Sequence, residues 1–122
     1  MDWLMVMLAG GAGAVSRYGV GKLFPFTGSE FPTATVICNL SGSLLLALLA
    51  GRFMQSHPQL VLVLGTGFLG AWTTYSTFSL EMIRLAESGQ VGRAGLYVGL
   101  TLVGGALLSA LGWWLGLQLR AG

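Results

Sequence analysis

Charge is what this sequence has least of. Only 8% of its 122 residues are Asp, Glu, Lys or Arg, against roughly 25% in an ordinary soluble domain. Small domains bury the smallest share of their surface, so a chain this short cannot hide its apolar residues in a core of its own. Those residues make up 54% of the chain, with a mean hydropathy of +0.77, and lipid is the surrounding that accommodates them. The net charge is +2, and no basic cluster interleaved with aromatics occurs, which sets nucleic acid aside as a partner. The one cysteine, Cys38, cannot close a disulfide within the chain. It leaves the redox compartment unreadable and reads as a small packing residue. The one histidine, His57, lies in a short loop and points to surface. No His/Cys/carboxylate set at metal spacing, no phosphate loop and no nucleophile–base pair is present, so an enzyme is not expected. The three prolines all fall outside the apolar runs, in "FPFTGSEFP" and "QSHPQ".

Between these punctuated segments and "AESGQVG" lie four long apolar runs. A membrane-spanning helix needs about 20 largely apolar residues. The runs predict spans over Trp3 to Lys22, Ala34 to Met54, Leu60 to Ile83 and Ala94 to Leu119. The expectation is an all-α membrane protein, a single four-helix domain over residues 1–122. No linker or soluble domain is evident. Nor is a signal peptide, since the N-terminus carries Asp2 in place of a basic region and Arg17 follows the apolar run.

Glycine is abundant, with 20 residues. The pairs Gly95/Gly99 and Gly112/Gly116 have the four-residue spacing that lets helix backbones approach in lipid. Four spans put both termini and the second loop on one side, with Arg52 and Arg120. The other side holds Lys22, Arg84 and Arg93. Orientation follows the cation bias of short loops, and two against three decides little. Either the chain is oriented by other means, or it inserts both ways and two copies pair as an antiparallel dimer.

The third run contains "GFLGAWTTYSTFSLE", a dense set of hydroxyls at hydrocarbon depth. Serines and threonines can satisfy themselves on the carbonyl one turn earlier. Here, however, Gly65, Gly67 and Gly70 precede them, and glycine weakens a helix interior by roughly 1 kcal/mol relative to alanine. The combination predicts a helix interrupted near the midplane, tolerated only where the freed backbone meets protein or a watery cavity. Such breaks release carbonyls able to hold a cation. Tyr75 and Phe78 share a side of the following turn. Their electropositive ring edges suit an anion that must be held weakly enough to leave.

Asn39 and Ser43 lie one turn apart in the second span, as interhelical glue or as pore lining. Tyr97, Thr101 and Ser109, with Gly105 in the gap, form a winding stripe that fits a polar route or a small-residue packing seam. Glu81 and Arg84 read as a solvated pair at a helix end. Arg17 reads as a snorkelling anchor or as a cation in a vestibule that concentrates anions.

With "GGAGAVSRY", "NLSGS" and "GFLGAWTTYSTFSLE", nearly the whole chain resembles the Fluc family of fluoride channels, the CrcB-type proteins. Tyr75 stands where that family usually has phenylalanine. The resemblance implies an antiparallel homodimer in the bacterial inner membrane. Its two pores would pass fluoride out of the cell down its gradient and so confer fluoride resistance. It implies a structural sodium ion held by backbone carbonyls at Gly70 and Thr73. It further implies pore aromatics at Tyr75 and Phe78, a pore asparagine at Asn39 and a polar track through Tyr97, Thr101 and Ser109. The other small dual-topology class, the small multidrug transporters, depends on a glutamate in the first span, and this first span has none, its only internal charge being Arg17.

Overall fold

The computed structural model describes residues 1–122, which form helices and short connections with no strand. Helix α1 covers Asp2–Leu23 and α2 covers Thr33–Phe53. Helix α3, residues 58–72, joins an α turn (Pro58–Leu60), a π-helical stretch (Val61–Leu69) and a second α turn (Gly70–Trp72). Helix α4 covers Tyr75–Glu87, and α5 covers Val91–Ala121 with a π-helical stretch at Leu100–Gly104. α3 and α4 are two halves of one span, parted by two extended residues. Four helical rods result, one for each expected span, and α2 and α5 are each long and apolar enough to cross a membrane.

The helix ends follow local chemistry. Asp2 opens α1 and Lys22 sits in its last turn, each complementing the helix dipole. Pro58 occupies the first position of α3, where its missing N–H costs nothing. Gly89, at φ +82°, supplies the left-handed residue that turns the chain from α4 into α5.

Two close seams hold the spans together. A Cβ on Gly112 or Gly116 of α5 would lie 2.3 Å from the Leu44 carbonyl oxygen or 2.5 Å from that of Leu48, on α2. Between α1 and α3, a Cβ on Gly13 would lie 2.2 Å from the Phe68 carbonyl oxygen. Missing side chains thus let the helix backbones touch. The Gly95/Gly99 pair differs: neither residue meets another atom within 4 Å, so this spacing makes no seam within the protomer.

Only 16 of the 122 residues are buried, and many large apolar side chains, among them Trp3, Leu107 and Trp114, face outward. The one sizeable core joins Phe78 and Leu85 of α4 to Ala94 and Tyr97 of α5, beneath Phe26 and Phe31 of the first loop. That loop is tied down by arginines. Arg84 donates to the Thr27 carbonyl at 2.8 Å and Arg93 to the Ser29 carbonyl at 2.6 Å. The Thr27 amide, donating to Glu30, holds that carboxyl down at about 2. The expectation of a solvated Glu81–Arg84 pair is therefore corrected: Arg84 serves the first loop, and Glu81 is buried.

Candidate functional site

The interruption of the third span falls at Thr73 (φ −88°, ψ 158°) and Thr74 (φ −154°, ψ 125°), both extended. Threonine is β-branched and suits that conformation. The extended residues are the threonines and not the glycines. Gly70 is helical at φ −61°, ψ −34°, and Gly67 serves close packing, its Cβ position 2.8 Å from Ala9. Several hydroxyls do bond back to their own helix: Ser43 to the Asn39 carbonyl at 2.8 Å and Thr73 to the Leu69 carbonyl at 3.0 Å. Thr74 caps α4 by accepting from the Thr77 amide at 3.2 Å.

The segment "NLSGS" of α2 cradles the break. Asn39 accepts from the Thr74 amide at 2.7 Å and donates to the Thr74 carbonyl at 3.0 Å, matching a backbone edge in both directions. Ser41 accepts from the Trp72 indole at 3.0 Å. Gly42 leaves room for Thr73, whose methyl stands 2.3 Å from where a Cβ would be. From α1, Arg17 donates through Nε to the Ala71 carbonyl at 2.9 Å, a cation on the carbonyl end of a helix.

An open groove of about 480 Å³ runs beside the break. It brings together Asn39, Ser43, Thr73, Tyr75, Phe78, Thr101 and Ser109, on α2, α4, α5 and the break itself. The Thr101 hydroxyl is buried with no hydrogen-bond partner, and Ser109 makes a long bond to the Ser43 carbonyl at 3.4 Å. The two aromatics differ in setting. Phe78 is 5% exposed, whereas Tyr75 is 77% exposed, with ring centres 6.0 Å apart.

Tyr97 lies outside the groove. It is fully buried, with its ring 5.0 Å from that of Phe78 in an edge-on contact and 5.8 Å from that of Phe31. Its hydroxyl faces Glu81 Oε1 at 3.4 Å, and Thr35 donates to the same oxygen at 2.5 Å. Glu81 is 6% exposed. Nothing in the sequence marks this carboxylate beyond its place near a span end, and no pattern marks Ser41 or Trp72. Arg17 lines a second cavity of about 370 Å³ with Lys22, Thr77 and Glu81, on the side of the first loop.

The break also bears on cation binding. No hydrogen bond of the chain ends on the Thr73 carbonyl. The Gly70 carbonyl has lost its usual donor, because the Thr74 amide is turned to Asn39. Gly70 is exposed on the protomer. Two neutral oxygens at helix ends are the donor type that suits a monovalent cation, and no carboxylate, His or Cys cluster competes for it.

Residues 4–113 match the family described as CrcB-like protein, Camphor Resistance (CrcB). Among similar proteins is a fluoride-specific ion channel FluC 1 of Bacillus cereus, 41% identical over 118 residues that cover 93% of this chain and 86% of the relative. The fluoride-specific ion channel FluC of a Methylobacterium species is 48% identical over 101 residues, covering 80% and 82%. The FluC 1 of Ligilactobacillus salivarius is 40% identical over 111 residues, covering 91% and 96%.

Proposed function

The chain belongs to the CrcB-like family, and on that footing we propose how it works. It is a fluoride-specific ion channel, a membrane protein and not an enzyme. It lets fluoride leave the bacterial cytoplasm passively through the inner membrane, and so protects against fluoride toxicity. The groove along Asn39, Ser43, Phe78, Thr101 and Ser109 is the anion route. The observation that carries this is the Thr101 hydroxyl, buried without a partner in that groove. A free donor is what a passing anion uses, and neutral donors with ring edges bind it weakly enough to release it. Tyr97 acts behind the route, setting the Phe78 ring. Arg17 and Lys22 make the second cavity an electropositive vestibule.

Two copies complete the site. The groove is open along one side, Tyr75 projects from the protomer, and Gly70 is exposed. An antiparallel homodimer closes two such grooves into two pores and brings the two breaks together on its axis. There, Gly70 and Thr73 of each copy would offer four carbonyls to a structural sodium ion. Bound there, the ion neutralises carbonyl dipoles that would otherwise repel.

Fluoride efflux from liposomes tests the reading. With potassium free to counterflow, the purified protein releases fluoride rapidly and retains chloride. Equal chloride efflux, or dependence on a proton gradient, overturns it. C-terminal reporters that appear on both sides of the membrane support the antiparallel dimer, and one strict orientation opposes it. Replacing sodium by a bulky cation lowers the melting temperature of the dimer if the ion is structural.

A further inference from the structure

We propose that Asn39 and Arg17 are positioning residues that hold the third span open from outside. Each occupies a backbone group through which the helix would otherwise close. In an unbroken helix four bonds cross this point, from the amides of Thr74, Tyr75, Ser76 and Thr77 to the carbonyls of Gly70, Ala71, Trp72 and Thr73. Three of the four are pre-empted by side chains. The Thr74 amide is taken by Asn39 Oδ1 at 2.7 Å. The Ala71 carbonyl is taken by Arg17 Nε at 2.9 Å. The Thr77 amide is taken by Thr74 Oγ1 at 3.2 Å.

The first two side chains come from other helices, so the break is a tertiary product. Its own sequence contributes the β-branched threonines and the Thr74 cap, while the residues before it are helical up to Trp72 and those after it from Tyr75. In lipid, a freed amide or carbonyl has no water to turn to. Without Asn39 and Arg17, the amide and carbonyl groups on either side find each other, and the helix closes. Two residues that rise about 3.3 Å each as strand would rise about 1.5 Å each as helix. The span then shortens by about 3.6 Å and turns, carrying the Phe78 ring out of the groove and covering the Thr73 carbonyl.

Asn39 has two amide protons. One is committed to the Thr74 carbonyl, which leaves one for the groove. Its main work is thus on the backbone. Arg17 ties the two cavities together, since the guanidinium that lines the vestibule is itself anchored on the break.

The consequence for conduction rests on the channel reading, whereas the geometry stands without it. The test is solid-state NMR of labelled full-length protein in lipid, read at Thr73 and Thr74, whose carbon shifts separate extended from helical backbone. Asn39→Leu and Arg17→Leu shift both residues to helical values and cut fluoride efflux at least about tenfold. Arg17→Gln keeps an amide donor for Ala71 without the charge. It retains extended shifts, with more efflux than Arg17→Leu. Extended shifts with lost efflux in Asn39→Leu would make Asn39 an ion ligand only, and so overturn the proposal. Helical shifts in Arg17→Gln would overturn it as well, because charge and not the hydrogen bond would then hold the break. If Asn39→Leu does not fold, the Arg17 pair decides. A wild-type protein with extended shifts and no fluoride efflux would remove the channel reading and leave this inference intact.

Discussion

Both the third and the fourth span contain a π-helical stretch, Val61–Leu69 in one and Leu100–Gly104 in the other. Wide turns of this kind often lie near functional sites. After the first stretch the helix lasts one more turn and breaks at Thr73 and Thr74. After the second, two glycines in a row, Gly104 and Gly105, stay helical at φ −61° and −60°, and α5 runs on to Ala121. By glycine content alone the fourth span should be no stronger a helix at that point than the third. The difference lies in what stands opposite. α1 and α2 turn Arg17, Asn39 and Ser41 onto the third span. No side chain takes a backbone group of α5; contact there runs the other way, from Ser109 to the Ser43 carbonyl. Glycine in this protein closes distances between helices, and hydrogen bonds from neighbours open one of them.

If so, glycine substitutions should follow packing and not helix propensity. The largest effect is expected at Gly112→Ala, which places a Cβ 2.3 Å from the Leu44 carbonyl oxygen. Overpacking typically costs about 1–3 kcal/mol, and here the neighbour is backbone that cannot yield. The melting temperature should fall. A variant that melts like wild type would remove the α2–α5 seam from the account.

Next comes Gly42→Ala, which sets a Cβ 2.3 Å from the Thr73 methyl. The strain falls on the break, so fluoride efflux should drop several-fold while the spans persist; unchanged efflux would mean that Thr73 need not sit there. A smaller cost, about 1 kcal/mol, is expected for Thr74→Ala, which removes the cap on α4. It is read as a modest loss of thermal stability with the break retained, because Asn39 still holds the Thr74 backbone. The smallest belongs to Gly99→Ala. This residue adjoins the fourth-span π stretch and meets nothing within 4 Å, so stability should change by no more than about 0.5 kcal/mol. A large loss there would show that local loosening matters in the fourth span after all.

The spans themselves were legible because runs of about 20 apolar residues admit few other readings. The expected Ala34–Met54 became Thr33–Phe53, and Ala94–Leu119 became Val91–Ala121. The place of the break was legible too, since hydroxyls crowd around it. Its cause was not. The sequence pointed to Gly67, Gly70 and local hydroxyls, whereas the deciding partners lie 35 and 54 residues away. Gly95/Gly99 and Gly112/Gly116 show the same limit, for the spacing is identical and only the second pair faces another backbone. Of the polar stripe on α5, Thr101 and Ser109 reach the groove, while Tyr97 turns inward to Phe78 and Glu81. The burial of Glu81 depends on Thr35 and Tyr97 from other helices, which no local pattern announces.

The most direct test of the account is fluoride efflux from liposomes carrying Phe78→Ile at the same protein density as wild type. The substitution keeps bulk and removes the aromatic edge from a ring already held in place by Tyr97. The rate is expected to be at least about tenfold lower, with the protein still eluting like wild type on size exclusion. A folded Phe78→Ile protein that releases fluoride at the wild-type rate would contradict the claim that the anion passes along this groove.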